Sequence, residues 1–192
     1  MAEGQGGGRP GRNTDAGKKF DGRGQTRPRQ ARHSAGPRET VCVTVTALSS
    51  DGAGIARTDR GVVFVTGALP GETVTAELTS RHKDFSTART VTVEEPAEGR
   101  VKPRCPHYGR CGGCQLQHAA YPLQLKLKAN LVRDAMMRIG GFPAELFQDL
   151  ECTASPQSWG YRNKAAFPVQ FLKEGTVAGF YRAGTHRLER IR

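Results

Sequence analysis

Valine, leucine and isoleucine are absent from the first 38 residues, which hold nine glycines instead. So little apolar surface cannot offset the entropy of ordering a chain, so residues 1–39 are expected to form a disordered basic tail. That tail is either a solvated linker or an auxiliary arm for a polyanion. No apolar run approaches the roughly 20 residues that a membrane-spanning helix needs. No apolar segment follows the first charges, as an export signal would require, so a cytoplasmic location is expected. Also missing are a glycine-rich nucleotide loop, a helix–strand alternation and an internal repeat, so nothing here reads as a dinucleotide-binding fold. Acidic residues are the scarcer charge, 18 against 29 Lys and Arg, for a net charge of +11. Nine Lys and Arg against four Asp and Glu put +5 of that in the first 40 residues, leaving +6 for the other 152. The body of the chain is therefore basic too. Nucleic acid is the leading partner class; no amphipathic basic helix or lipidation motif speaks for a membrane surface.

From Val41 the composition changes. Val41, Val43 and Val45 alternate with Cys42, Thr44 and Thr46, a strand pattern. After a turn at Ser50–Gly54 come the runs 61–65, 73–78 and 88–93, separated by turns such as Pro70-Gly71. Four or five short strands in under 60 residues point to a small closed β-barrel of OB type over residues 40–98. The loop Arg81-His82-Lys83-Asp84-Phe85 joins two of these strands and mixes cations with an aromatic. Arg81, Lys83 and Phe85 are thus candidate contacts for a single-stranded nucleic acid. Beyond residues 99–120, Pro122 opens a helix whose stripe is Leu123, Leu127, Leu131, Ala135 and Ile139, closed by Gly140-Gly141; this helix and its connector fill 121–150. Lys126, Lys128, Arg133 and Arg138 lie mostly off the stripe and read as a solvated basic face. From residue 151, strands over 164–171 and 177–181 with a turn at Lys173-Glu174-Gly175 form a β-hairpin. Trp159 reads as a packing residue at a domain junction rather than a stacking platform.

Of five cysteines, three are clustered: Cys105, then after five residues Cys111, then after two more Cys114. Thiolates so spaced bind soft or borderline metals, and the odd number of cysteines argues against a disulfide framework. Gly112 and Gly113 allow the backbone to turn tightly and aim amides at sulfur. A 4Fe–4S cluster needs four ligands; zinc could use the three thiolates with His107 or His118. Cys152 is a remote candidate for a fourth ligand, and Cys42 an ordinary small side chain.

The stretch CPHYGRCGGCQLQHAAYPLQLKLK is similar to the cysteine motif of the bacterial iron–sulfur RNA (uracil-5-)methyltransferases. The block from Asp51 to Leu78 resembles their TRAM domain, an OB-like RNA-binding barrel. Trp159-Gly160-Tyr161-Arg162-Asn163-Lys164 and Gly179-Phe180-Tyr181-Arg182 resemble the opening hairpin of their central domain. The resemblance implies a mostly β protein with one helix, spanning the N-terminal portion of the family: disordered tail, five-stranded barrel, iron–sulfur segment with helix, and the start of a central domain at 151–192. It implies a 4Fe–4S cluster on Cys105, Cys111 and Cys114, whose fourth cysteine in relatives follows the segment matching Gly184–Ile191 and is absent from this chain. It adds Arg162 and Lys164 as RNA contacts and ribosomal RNA as the expected partner. A monomer without DNA specificity is expected. In the family, a cysteine thiolate adds to C6 of a uracil, C5 takes the methyl group of S-adenosylmethionine, and a base removes the C5 proton. The residues for this lie C-terminal to the matched region, so no catalytic residue is expected among these 192 and the chain alone should bind RNA without methylating it. The alternatives are a stand-alone TRAM-type RNA-binding protein and a zinc-bearing structural protein.

Overall fold

The structure, a computed structural model, describes residues 39–173 and 175–191; residues 1–38 of the expected disordered tail lie outside the described residues, and Glu39, its last expected residue, accepts a hydrogen bond from the Leu78 amide. In β1 (Thr40–Leu48) the alternation does what its spacing dictates: Val43 and Val45 are buried while Cys42, Thr44 and Thr46 face outward. A bulge between Val45 and Ala47 then slips the phase by one, which turns Leu48 inward. β2 (Gly54–Thr58), β3 (Gly61–Thr66), β4 (Thr73–Arg81) and β5 (Phe85–Glu95) complete a closed barrel in the order β1-β2-β3-β5-β4, with β4 pairing back to β1. Only the β3–β5 pair is parallel. That ring is the five-stranded OB-type barrel expected from the strand count. β2 falls between the expected turn at Ser50–Gly54 and the expected run at 61–65, in a stretch without a strand signal, because its five residues GIART carry one large apolar side chain. It is a strand because both neighbours pair with it.

The barrel interior is Val43, Val45, Ala56, Val63, Val65, Ala68, Val74, Ala76 and Ala88. Four alanines among nine residues explain how so narrow a barrel closes, since larger side chains would not fit the bore. A second cluster, Leu48, Leu69, Ala119 and Leu127, sits below it with Leu123 and Leu131 packed alongside. The bulged Leu48 thus links the barrel to α1 (Tyr121–Arg138), whose stripe caps one end. The stripe holds for Leu123, Leu127 and Leu131 and fails at Ile139, which is 88% exposed, because the helix has run past the barrel by then. The basic face is only partly solvated: Arg133 donates through Nε to the Phe147 carbonyl at 2.9 Å and so folds a short 3-10 turn, Ala144–Phe147, back on the helix.

Glu72 is fully buried, yet each carboxylate oxygen is bonded: Arg100 Nη1 lies 2.8 and 2.7 Å from the two, and the amides of Leu69 and Ala97 donate to them as well. Arg100 also donates to the Gly67 carbonyl. This satisfied network ties the β3–β4 turn to the strap that leaves β5.

The last region is thinner. β6 (Val169–Leu172) and β7 (Gly175–Ala178) make a two-stranded sheet. The first strand begins at 169 rather than 164 because Pro168 has no N–H for the ladder, and its carbonyl instead takes the Gly179 amide.

Candidate nucleic-acid and thiol site

The cysteine loop is held from two sides. On one, it pairs with the segment after β7: Cys111 bridges Arg182, the Gly112 amide donates to the Tyr181 carbonyl at 2.8 Å, and the Ala183 amide to that of Arg110 at 3.1 Å. A Cβ at Gly112 would meet Tyr181 O at 3.0 Å, and one at Gly113 would meet the Phe180 ring at 3.1 Å, so both glycines serve close approach. On the other side, the Tyr108 hydroxyl is within hydrogen-bond reach of the Gln115 carbonyl and of His118 Nδ1. Burial pushes Tyr108 up to about 12 and pulls His118 down to about 4, with the Arg100 charge adding to the second shift.

Glu189 anchors the same loop. It is 4% exposed, and Arg182 (2.8 Å), Arg110 (3.3 Å) and His107 Nδ1 (3.5 Å) converge on it. Burial works to raise its carboxyl, but the hydrogen bond from His107 and the charges of Arg110 and Arg182 outweigh that and hold it below the ordinary carboxylate value. This clamp was not legible in the sequence, where the acid lies 79 positions beyond Arg110 with nothing to pair the two.

All five cysteines are free thiols; Cys105 and Cys111 are half-buried and Cys114 exposed. The Gly113 amide donates to Cys111 Sγ at 3.4 Å, the kind of contact that favours a thiolate. In donor chemistry and in its glycine cradle the loop fits a thiolate-bound metal. In convergence it does not yet do so: among the described residues no three His, Cys, Asp or Glu side chains gather to hold a metal ion. Cys152 gathers with no such group among the described residues, and its Sγ lies 4.0 Å from the Thr153 carbonyl. Both histidines considered as zinc ligands are engaged otherwise, His107 with Glu189 and His118 with Tyr108, and His118 Nε2 is buried without a hydrogen-bond partner.

The cationic candidates fall into two places. Arg81, Lys83 and Phe85 share the β4–β5 hairpin at one end of the barrel. Phe85 stacks on His82, ring centroids 4.3 Å apart, and meets Phe64 edge-on at 5.6 Å. Arg81 is ion-paired with Glu39, an exposed contact of little energetic weight. Arg162 lies instead on a cleft of about 1020 Å³ between the β1–β2 loop, the strap after β5, α1 and residues 158–162. Lys164 is exposed on the same irregular segment. Trp159 is not a core residue: it is 48% exposed, with the Arg104 guanidinium 4.9 Å above its ring. Sequence reasoning passed over Arg104, since nothing local distinguishes it from other exposed arginines.

Residues 36–96 match the family model of the TRAM domain, and the barrel just described is that domain. The chain is 38% identical over 148 residues to an uncharacterized RNA methyltransferase of Listeria innocua, covering 77% of this chain and 32% of that protein. It is 40% identical over 152 residues to another from Synechocystis, covering 79% and 32%. To the 23S rRNA (uracil(1939)-C(5))-methyltransferase RlmD of Alkalilimnicola ehrlichii it is 42% identical over 147 residues, covering 75% and 32%. The chain thus resembles RNA methyltransferases over about three quarters of its own length, and it spans about a third of the length of the relatives it matches. No helix among the described residues is long and apolar enough to cross a membrane.

Proposed function

We propose that this polypeptide is the RNA-gripping portion of an S-adenosylmethionine-dependent RNA uracil-C5-methyltransferase acting on ribosomal RNA. The observation that carries it is the union, in one body, of a TRAM barrel bearing an aromatic–cationic hairpin with a thiol-rich loop, in a chain 42% identical to a protein named for that reaction. In this reading residues 40–98 form the barrel, 99–120 the thiol segment, 121–150 the helix and connector, and 151–192 the start of a further domain. Arg81, Lys83, Phe85, Arg162 and Lys164 contact RNA. No residue here is assigned to methyl transfer, so these 192 residues by themselves bind RNA without methylating it. The chain works as a monomer in the cytoplasm.

The test is RNA affinity against salt. Cations that replace counterions on phosphates make log Kd rise linearly with log salt, and six such contacts cost about 10³ in affinity between 50 and 200 mM. A flat response would remove the nucleic-acid reading. Cys105, Cys111 and Cys114 would supply thiolates to a 4Fe–4S cluster, with zinc as the alternative metal, and the bound centre would add folding energy to the loop. Metal and acid-labile sulfide measured on anaerobically purified protein separate the two, and Cys111→Ser is expected to lower the metal content to near zero. Unchanged content in that variant would exclude the site.

A further inference from the structure

Four cations, Lys102, Arg104, Lys128 and Arg162, line the cleft between the barrel and α1, against a single acid, Asp51, which accepts a hydrogen bond from Ser49. Two half-open aromatics stand at the same wall, Trp159 at 48% exposure and Tyr161 at 63%. Ligand pockets for small molecules span about 300–1,000 Å³ and enclose most of their ligand. This cleft, at about 1020 Å³, is as large as the largest of them and only half enclosed. A groove with four cations to one acid and exposed ring faces suits a polyanion whose own rings are free to stack, which is a single strand; in duplex RNA the ring faces are consumed in the helix.

We propose that this cleft is a binding site for unpaired RNA, in which a base stacks at the Arg104–Trp159 pair while Lys102, Lys128 and Arg162 take the flanking phosphates. The inference rests on the RNA-binding reading and adds a second contact surface to the barrel hairpin at 81–85. Arg104 has a specific part: its guanidinium already lies over the indole, so it fixes the ring and adds a planar cation to the stack. Arg104 and Trp159 are 55 positions apart, on the strap after β5 and on the irregular segment before β6. Their contact therefore depends on the folded chain.

Trp159 is the single tryptophan of the chain, so fluorescence excited beyond the tyrosine absorption band reports on this cleft alone. The full chain is titrated with a single-stranded oligoribonucleotide of about 12 nucleotides, within the length an OB-type barrel covers. The same sequence as a blunt duplex, and a poly-glutamate peptide, serve as comparators. Anisotropy of labelled RNA is read in parallel. The expected result is saturable quenching by the single strand over the concentration range in which anisotropy rises, and no quenching by duplex or peptide. Trp159→Leu and Arg104→Gln should each weaken single-strand affinity about tenfold. Arg104→Gln keeps the fluorophore and removes nothing buried, so it reports even where Trp159→Leu folds poorly. Single-strand binding by anisotropy with unmoved fluorescence overturns the site and leaves the RNA reading standing. So does equal quenching by the peptide, or wild-type affinity in Arg104→Gln. Absence of anisotropy change with either RNA sinks both.

Discussion

The barrel and the region after residue 150 are built on opposite terms. The barrel closes on itself, so five strands leave no open edge and nine buried side chains fill the bore. Among the described residues the C-terminal region has one two-stranded sheet, on which Val169 and Phe171 stand 55% and 82% exposed, and Phe167 just before it is 50% exposed. A two-stranded hairpin is marginal in water without further packing. What ties this region to the cysteine loop is polar and peripheral to its own strands: the Cys111–Arg182 bridge, two backbone hydrogen bonds, and Glu189 with its two arginines and His107. Shape is thus set in the barrel by hydrophobic closure, and after residue 150 by docking onto the cysteine loop. Substitutions should therefore divide sharply between the two.

The largest effect is expected where a charge is buried under the barrel. Glu72→Ala removes the acceptor for Arg100 and for the amides of Leu69 and Ala97. Breaking a buried pair from one side costs about 3–5 kcal/mol, and the lower end applies because Arg100 keeps some solvent access. Urea unfolding of the variant should show a loss of about 3 kcal/mol. A loss below about 1 kcal/mol would mean that the strap is not held by this network.

Next comes pH. His118 is buried neutral, so its folded pKa of about 4 lies below the 6.5 of an unperturbed histidine. Between those values the unfolded chain binds the extra proton and the native one does not, so stability falls as pH drops from 6.5 toward 4 and is unaffected above that window. The full shift corresponds to a loss of up to about 3 kcal/mol. Glu189 acts at the lower edge: its contribution is intact above 4.5 and fades below it, so it does not imitate the histidine. Comparing His118→Gln with the parent chain by urea unfolding at several pH values isolates the effect. Parallel curves across the window would show that His118 is protonated as easily folded as unfolded.

The same contrast decided what the sequence disclosed. Val41, Val43 and Val45 announce β1 because a period of two with one buried face is a local signal, and the barrel was legible for that reason. β2 was not, since GIART has the right length and the wrong composition, and only pairing on both sides makes it a strand. The three clustered cysteines were visible through spacing alone. Their setting was not, because Glu189, Arg182 and Phe180 reach the loop across more than 65 positions of chain. Likewise Leu127 could be placed on the buried stripe by periodicity, whereas Ile139 followed the same period and ended exposed, since a helix does not record where its neighbour stops.

The smallest effect should come from the most apolar-looking target. Phe171 is the one aromatic of β6 and by composition a core residue, yet it is 82% exposed. Its exposed face opposes Thr176 across the hairpin, where a single cross-strand pair contributes about 0.2–1 kcal/mol. Phe171→Ser is therefore expected to change the unfolding free energy by less than about 0.5 kcal/mol, the range of surface substitutions. A buried large-to-small change in the barrel, Val65→Ala, should cost more than about 1 kcal/mol, because Val65 is fully enclosed. If Phe171→Ser proved as costly as Val65→Ala, that ring would be packed against something in solution. The hairpin would then have to be counted with the hydrophobically closed half of the molecule.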